Sequence, residues 1–295
     1  MLLHILVGTI YFVMSTTAFV INLLVMLVAE KSSENKSTTS LIVKNVCFSC
    51  ILQLIPFMFG GIMCITDSPF NYYSDRILGV LLESGWFMYI GLSLALAVDR
   101  LIVFMSPQSA LFRSRITYLF IFLSWILWLG SLVVLCLPDF GYSFQTAQGR
   151  IGWGYRRDLH GAVIMAEVES YLDLTVFSIM LLVYLLVFGY LFKIRKASSD
   201  QPPFSTVEMK ILITALISFA YESFFVIWSF WSPPVPFDML QKRIVMNVMW
   251  IIDAGLFSTV SIIVNNRVQT KIKEMIWRQK HVVVNVNVIV CADQS

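Results

Sequence analysis

The chain has 295 residues, of which 58% are hydrophobic and only 13% are charged, and its mean hydropathy is +0.79. A soluble domain of this composition could not cover its own surface with polar groups. Several apolar runs exceed the roughly 18 residues that indicate a membrane-spanning helix, so the sequence predicts an all-α, multi-pass protein of the lipid bilayer. We expect no nucleic acid among its partners.

Seven apolar runs follow one another along the chain, and each is long enough to cross a bilayer. The first run starts almost at the N-terminus without the basic segment of a signal peptide, so we interpret it as the first span. The spans lie at about 5–29, 41–65, 77–105, 116–137, 165–192, 209–231 and 244–264, and a short amphipathic surface helix follows at 267–280. Residues 1–280 then form one seven-span domain, and 281–295 form a tail.

Lysine and arginine are distributed unevenly between the two ends of these spans. If the N-terminus is outside, the inner segments carry fifteen of these residues and the outer segments six. This asymmetry favours an extracellular N-terminus and a cytoplasmic C-terminus. The glycosylation sequon at Asn35 would then lie in the first inner loop and stay unmodified.

Two features of the first two spans interrupt their apolar pattern or their backbone hydrogen bonding, namely Asn22 in span 1 and Pro56 in span 2. A lone amide in an apolar run should form a hydrogen bond to a neighbouring helix. A proline inside a helix removes one backbone hydrogen bond and favours a kink. Both positions therefore predict structural roles within a helical bundle.

The third span ends in Asp99-Arg100-Leu101, and Pro107 follows eight residues after Asp99. An arginine at the end of an apolar span is costly in hydrocarbon unless it has a partner or reaches the membrane surface. Asp99 can hold Arg100 until another group competes for it, which is the physical basis of a switch. The alternative is that Arg100 only reaches the inner interface and orients the helix, and both interpretations stay open.

Acidic and aromatic side chains in spans 3, 5, 6 and 7 form the second group of candidates. An acidic, aromatic-lined cavity in the outer half of a bundle would suit a small cationic ligand. Alternatively, these acids pair with Arg76, Arg156 or Lys242, or cap helices. The candidates for ligand contact are Glu83, Trp86, Tyr89, Asp173, Glu222, Trp228 and Asp253.

The long connection at 138–164 contains Gly152-Trp-Gly-Tyr-Arg-Arg. Its glycines permit tight turns, so it can fold back as a lid over the bundle, or it can lie at the interface as an aromatic belt. The chain has three histidines that do not cluster, and no inverted repeat is detectable. We therefore predict no metal site, no cofactor and no transporter architecture.

Seven spans with an outer N-terminus, together with Asp99-Arg100-Leu101 and Pro107, resemble the rhodopsin-like G-protein-coupled receptors. The third helix of that family ends in Asp-Arg-Tyr, and Asn22 resembles the asparagine of its first helix. More specifically, the chain resembles the nematode serpentine chemoreceptors of class X or class T. The stretches that carry this resemblance are Leu92–Arg100, Val207–Leu212 and Gly255–Val268, the last with Asn265 before a basic stretch.

The resemblance implies a chemosensory receptor of the plasma membrane, with the sensory cilium as a candidate location, and it implies no enzymatic activity. A small ligand would bind from outside, and a heterotrimeric G protein would bind at the inner face. Arg100 would pair at rest with Asp99 and with Glu208 at the inner end of span 6. The outer disulfide of the family is missing, because Asp75 stands twenty-five residues before Arg100, where the family has cysteine.

A different class of protein remains as the alternative, namely a seven-span ligand-gated channel or a non-signalling membrane scaffold. Insect-type odorant channels have the opposite orientation, so glycosylation of Asn35 would favour that class. The sequence offers no ring of like charge that would line a pore, and we therefore rank the receptor first.

Overall fold

The computed structural model describes residues 1–31, 38–105, 110–146, 151–197, 206–231, 238–266 and 268–275. They form seven long helices, a two-stranded hairpin and a short helix (α8, 268–275) after the seventh. The elements are α1 (Leu2–Lys31), α2 (Thr38–Thr66), α3 (Tyr72–Met105), α4 (Ala110–Cys136), β1 (Tyr142–Gln145), β2 (Gly152–Tyr155), α5 (His160–Ala197), α6 (Thr206–Trp231) and α7 (Met239–Val264).

All seven long helices are apolar enough and long enough to cross a membrane. The predicted seven-helix bundle with a short helix after span 7 is therefore confirmed. Pro107, the tail at 281–295 and the far end of the predicted surface helix lie outside the described residues.

The helices alternate in direction, which gives the bundle two distinct ends. We call them the hairpin end, where α1, α3, α5 and α7 begin, and the Arg100 end, where α2, α4 and α6 begin. The hairpin end carries β1 and β2, and the Arg100 end carries α8.

Helix α3 is the central helix of the bundle. In its most apolar stretch 78% of the residues are buried inside the protein, against 22% for α4. It contacts α2, α4, α5, α6 and β1. Polar side chains along α3 therefore face other helices instead of lipid, and they need partners there.

Asn22 links α1 to α7. Its Nδ2 donates to the carbonyl oxygens of Ala18 and Ala254, at 2.9 Å each, and its Oδ1 accepts from Ser258 Oγ at 2.7 Å. The Ser258 hydroxyl also lies 3.4 Å from the sulfur of Cys47 on α2. The Asn22 amide thus joins α1 to α7, and the Ser258 hydroxyl extends the contact to α2.

The last turn of α7 ends at Asn265, whose backbone N–H donates to Ser261 O at 3.0 Å. Its φ of −102° and ψ of 96° are extended, so the helix stops there. The α8 segment can then leave the bundle in a new direction.

The hairpin packs on the bundle by polar contacts from two helices. Asp75 Oδ1 on α3 accepts from Phe144 N at 2.7 Å, and Asn247 Oδ1 on α7 accepts from Trp153 N at 2.9 Å. The Trp153 side chain is 1% exposed, and its Nε1 donates to Pro56 O on α2 at 3.2 Å. The long connection therefore folds back as a lid, with its tryptophan inserted between helices.

Candidate functional site

A cavity of about 270 Å³ lies beneath the hairpin, between α3, α5, α6 and α7. This volume is near the lower end of the range that small-molecule sites occupy in proteins. The hairpin contributes Tyr142 and Tyr155 to its wall, and α6 contributes Phe225. The hairpin therefore covers the cavity at one end of the bundle, and the four helices form its sides.

Aromatic side chains form the deep end of this cavity. The ring of Trp86 meets the rings of Trp250 and Phe225 edge to face, with centroids 5.7 Å apart in both pairs. The indole of Trp250 donates to Gln53 Oε1 at 2.7 Å, and the indole of Trp86 donates to Asp173 Oδ2 at 3.2 Å. Both indoles are therefore fixed in orientation by a hydrogen bond.

Three buried carboxyl groups lie beside this aromatic floor. Glu83 and Asp173 are fully buried and Glu169 is 5% exposed. Asp173 and Glu169 line the cavity itself. Glu83 Oε2 and Asp173 Oδ1 have no hydrogen-bond partner among the described residues, so each carboxyl has unused acceptor capacity in a buried place.

Tyr155 connects the hairpin to this acidic group. Its hydroxyl donates to Glu83 Oε1 at 2.7 Å. Burial raises the pKa of the Tyr155 phenol above its ordinary value, and the neighbouring Glu169 and Glu83 carboxyls raise it further. The phenol therefore keeps its proton and remains a donor to Glu83.

Basic side chains line the same cavity nearer its mouth. Arg157 follows β2, and Lys242 and Arg243 lie in the first turns of α7. Arg243 Nη1 also donates to Trp153 O at 2.9 Å, which ties the basic group to the lid. The cavity consequently carries charges of both signs, whereas the sequence pattern predicted an acidic one.

The seven candidates for ligand contact occupy different levels of the bundle. Trp86 and Asp173 line the hairpin-end cavity, and Glu83 lies behind Tyr155. Tyr89 and Glu222 lie deeper and line a void of about 10 Å³, where the Tyr89 hydroxyl donates to Glu222 Oε1 at 2.5 Å. This places two of the seven at the hairpin-end cavity and two at a level below it.

Asp253 and Trp228 border neither of these two cavities. Asp253 is 1% exposed, lies in electrostatic contact with Glu222, and has no hydrogen-bond partner for either oxygen among the described residues. Trp228 packs against Phe224, with ring centroids 6.2 Å apart. Asp253 belongs to the polar middle of the bundle, and Trp228 lies away from the cavity.

The Arg100 end holds an ion-pair network centred on a fully buried guanidinium. Arg100 Nη2 donates to Asp99 Oδ2, and Nη1 donates to Glu208 Oε2 on α6, both at 2.5 Å. Nη2 also donates to Thr39 Oγ1 on α2 at 2.6 Å. The Arg100 side chain is fully buried among these partners, and Leu101 packs against the apolar core.

Asp99 is shared with a second arginine, from α4. Arg113 Nε donates to Asp99 Oδ1 at 2.8 Å, and Arg113 Nη2 donates to Thr39 Oγ1 at 2.5 Å. The Thr117 hydroxyl completes the shell at 3.4 Å from Asp99 Oδ1. Four helices (α2, α3, α4 and α6) therefore meet at two acids, Asp99 and Glu208, and two arginines.

Sequence reasoning did not single out Thr39, Arg113, Gln53 or Trp250. The partners of Arg113 and Trp250 are distant along the chain, so no local spacing reveals them. A usable signal existed only for Gln53, since an amide in an apolar run implies an interhelical hydrogen bond. Within the described segments, no group of three or more His, Cys, Asp or Glu is arranged to hold a metal ion.

Comparison with known proteins identifies the relatives of the chain. A family described as "Serpentine type 7TM GPCR chemoreceptor Srx" matches residues 12–265. No curated protein matches the chain. Among solved structures, squid rhodopsin is similar with a TM-score of 0.69 and 12% sequence identity, over 92% of this chain and 85% of the rhodopsin chain. At this identity the rhodopsin likeness shows the fold alone.

Proposed function

The chain belongs to the serpentine seven-transmembrane chemoreceptor family Srx of G-protein-coupled receptors, and on this premise we propose that it is a chemosensory receptor for a small ligand. The ligand would bind in the hairpin-end cavity, and a heterotrimeric G protein would bind at the Arg100 end. In this orientation the hairpin end faces outside and the Arg100 end faces the cytoplasm of a cell whose plasma membrane, or sensory cilium, carries the receptor.

The observation that carries the switch proposal is the ion pair between Arg100 and Glu208. It joins the central helix α3 to α6 through a guanidinium that is fully buried. Glu208 itself is 29% exposed, so this half-buried pair contributes less than the ~3–5 kcal/mol that breaking a fully buried ion pair costs in soluble proteins. A pair of this kind therefore favours the arrangement in which α6 is held against α3.

Helix α6 also reaches the proposed ligand cavity. Phe225 on α6 lines the cavity, seventeen residues after Glu208, which corresponds to about 25 Å along a helix axis. Glu222, one turn below Phe225, accepts the hydrogen bond from Tyr89 on α3. A displacement of α6 at the cavity would thus act on both the middle of the bundle and Glu208.

A ligand shifts this equilibrium only if it binds the arrangement with separated α3 and α6 more tightly than the joined one. In the proposed active state, Arg100 leaves Glu208 and α6 moves outward, which opens a space for the G protein. Asp99 remains anchored by Arg113 and Thr39 during this step.

The test uses two substitutions in the intact receptor, expressed with each candidate Gα subunit. Glu208→Gln removes the charge that attracts Arg100 while keeping the side-chain shape, so we expect basal nucleotide exchange to rise. Arg100→Ala removes the group that changes partners, so we expect signalling to disappear while the surface level, measured by antibody labelling, persists.

Glu274→Gln serves as the matched control, because Glu274 is an exposed acid of α8 at the same end of the bundle. It should leave basal exchange unchanged. The proposal fails if Glu208→Gln and Glu274→Gln give the same basal exchange and Arg100→Ala signals normally.

A further inference from the structure

Resting on the proposed function, we propose that the ligand of the hairpin-end cavity is zwitterionic. Its cationic group would contact Asp173 and Glu169 at the floor, and its anionic group would contact the basic side chains at the mouth. The chemical class is that of a free amino acid or a dipeptide with an apolar body.

The floor of the cavity has an unsatisfied acceptor. Asp173 is fully buried, its Oδ2 accepts from Trp86, and its Oδ1 has no hydrogen-bond partner among the described residues. A buried polar atom without a partner is costly, so it is a place where a ligand donor gains the most. An ammonium group provides several donors and a charge that matches the Asp173 and Glu169 carboxyls.

The aromatic rings beside this acid favour the same group. Trp86 and Trp250 fill the floor, and Trp86 is held to Asp173 by its own indole N–H. The face of a tryptophan attracts a cation within about 6 Å of the ring centroid. Carboxyl groups and ring faces at the floor therefore select a positive charge together.

The mouth of the cavity has the opposite sign. Lys242 lies three residues after the start of α7, whereas Trp250 at the floor lies eight residues further along the same helix. This separation corresponds to about 12 Å along the helix axis, so the basic groups lie well above the acids. Arg157 after β2 and Arg243 next to Lys242 add to the same basic rim.

A ligand with one charge would satisfy only one of these two levels. A simple amine would pair with Asp173 and place an uncharged end against the basic rim, and a simple acid would place its apolar end against buried carboxyls. At the buried floor an unpaired ligand charge would carry a large desolvation cost, whereas the exposed Arg157 and half-buried Lys242 and Arg243 offer an anionic group charge complementarity. A zwitterion pairs at both levels, and a cavity of about 270 Å³ accommodates a molecule of amino-acid to dipeptide size.

The experiment compares molecules that differ only in charge. One set consists of phenylalanine, its N-acetyl form and its amide, and a second set consists of Gly-Phe with the same two modifications. The third set is 6-aminohexanoate, hexanoate and hexylamine. Binding to the purified full-length receptor is measured as the ligand-induced rise in its unfolding temperature, because a ligand that binds only the native state stabilises it more at a given concentration the lower its Kd.

We expect the zwitterion of at least one set to stabilise the receptor at a concentration about tenfold lower than both of its single-charge relatives, since one charged contact is worth about a factor of ten. Asp173→Asn should remove the advantage of the zwitterion over the relative that lacks the ammonium group. Lys242→Gln should remove its advantage over the relative that lacks the carboxylate. The controls are Glu167→Gln and Lys193→Gln, which change exposed charges of α5 that do not line the cavity.

The inference is overturned if no zwitterion stabilises the receptor better than its relatives, or if Lys242→Gln leaves the preference intact. The same samples are assayed for nucleotide exchange on a G protein. Exchange driven by a single-charge ligand would refute the zwitterion and leave the receptor proposal standing. Selective zwitterion binding without exchange on any Gα would support the zwitterion and contradict the receptor proposal.

Discussion

At the scale of single residues, the Arg100 end depends on how one acid is shared. Asp99 accepts hydrogen bonds from Arg100, Arg113 and two threonines, and its side chain is fully buried. Two cations around one carboxylate offset the cost of burying that charge. This arrangement makes Arg113 the residue that keeps Asp99 in place when Arg100 is drawn to another partner.

Substitution of Arg113 tests this role. We expect Arg113→Gln to destabilise the receptor by about 1–3 kcal/mol, because it removes a charge-assisted hydrogen bond to a buried carboxylate. Arg115→Gln is the control, since Arg115 is an exposed arginine of the same helix turn. The unfolding temperature of both purified variants gives the comparison, and equal values would show that Arg113 contributes nothing to the network.

The sequence contained part of this residue-scale picture. The adjacency of Asp99 and Arg100 in a costly apolar setting pointed to an ion pair, and the resemblance added Glu208 from span 6. Arg113 could not be anticipated, because its distance from Asp99 is set by the packing of α3 and α4 on each other and on α2. Lys242 was named only as an alternative partner for the outer acids, and its place beside Arg157 on the cavity wall was not anticipated, because that wall forms only where the hairpin packs on α7.

At the scale of elements, the hairpin is held without a disulfide. Asp75 of α3 stands where the resembling family has cysteine, and it accepts a hydrogen bond from Phe144 N of β1. Asn247 and Arg243 of α7 hold β2 in the same way, through Trp153. Several hydrogen bonds of about 1 kcal/mol each thus take the place of a covalent link.

The insertion of Trp153 requires a glycine on α2. A Cβ at Gly60 would lie 2.6 Å from Trp153 Nε1, so Gly60→Ala should displace the indole, break its bond to Pro56 and lower the unfolding temperature. Gly130→Ala on α4 is the control, because nothing lies within 4 Å of its added methyl group. It should leave stability unchanged or raise it slightly through helix propensity. Equal stability of the two variants would contradict this packing.

The elements themselves differed in how well the sequence revealed them. The helices follow from apolar run length, although α5 begins at His160, five residues before the predicted span, where the Ala162 N–H of its first turn donates to Asp139 O at 3.0 Å. The strands were not predicted, since each has four residues and contains glycine or glutamine. Their pairing and burial are imposed by α3 and α7.

At the scale of the whole molecule, buried charge is arranged in three levels. Acids and bases face each other across the hairpin-end cavity, Glu222 and Asp253 occupy the middle, and the Asp99 network closes the Arg100 end. Helix α6 has residues at all three levels, in Phe225, Glu222 and Glu208. A signal that moves α6 as one body would therefore couple the cavity to the far end without a separate pathway.

This coupling has a use only if the two ends face the correct compartments, and the distribution of lysine and arginine predicts that they do. With epitope tags at both termini, antibodies on intact cells should label only the N-terminal tag, and permeabilised cells should show both. Asn35→Gln should leave the apparent mass unchanged, because the predicted orientation puts the sequon on the cytoplasmic side, whereas a sequon added within the N-terminal tag should gain a glycan that glycosidase removes. Labelling of the C-terminal tag on intact cells would put Arg100 outside the cell, where no G protein could reach it.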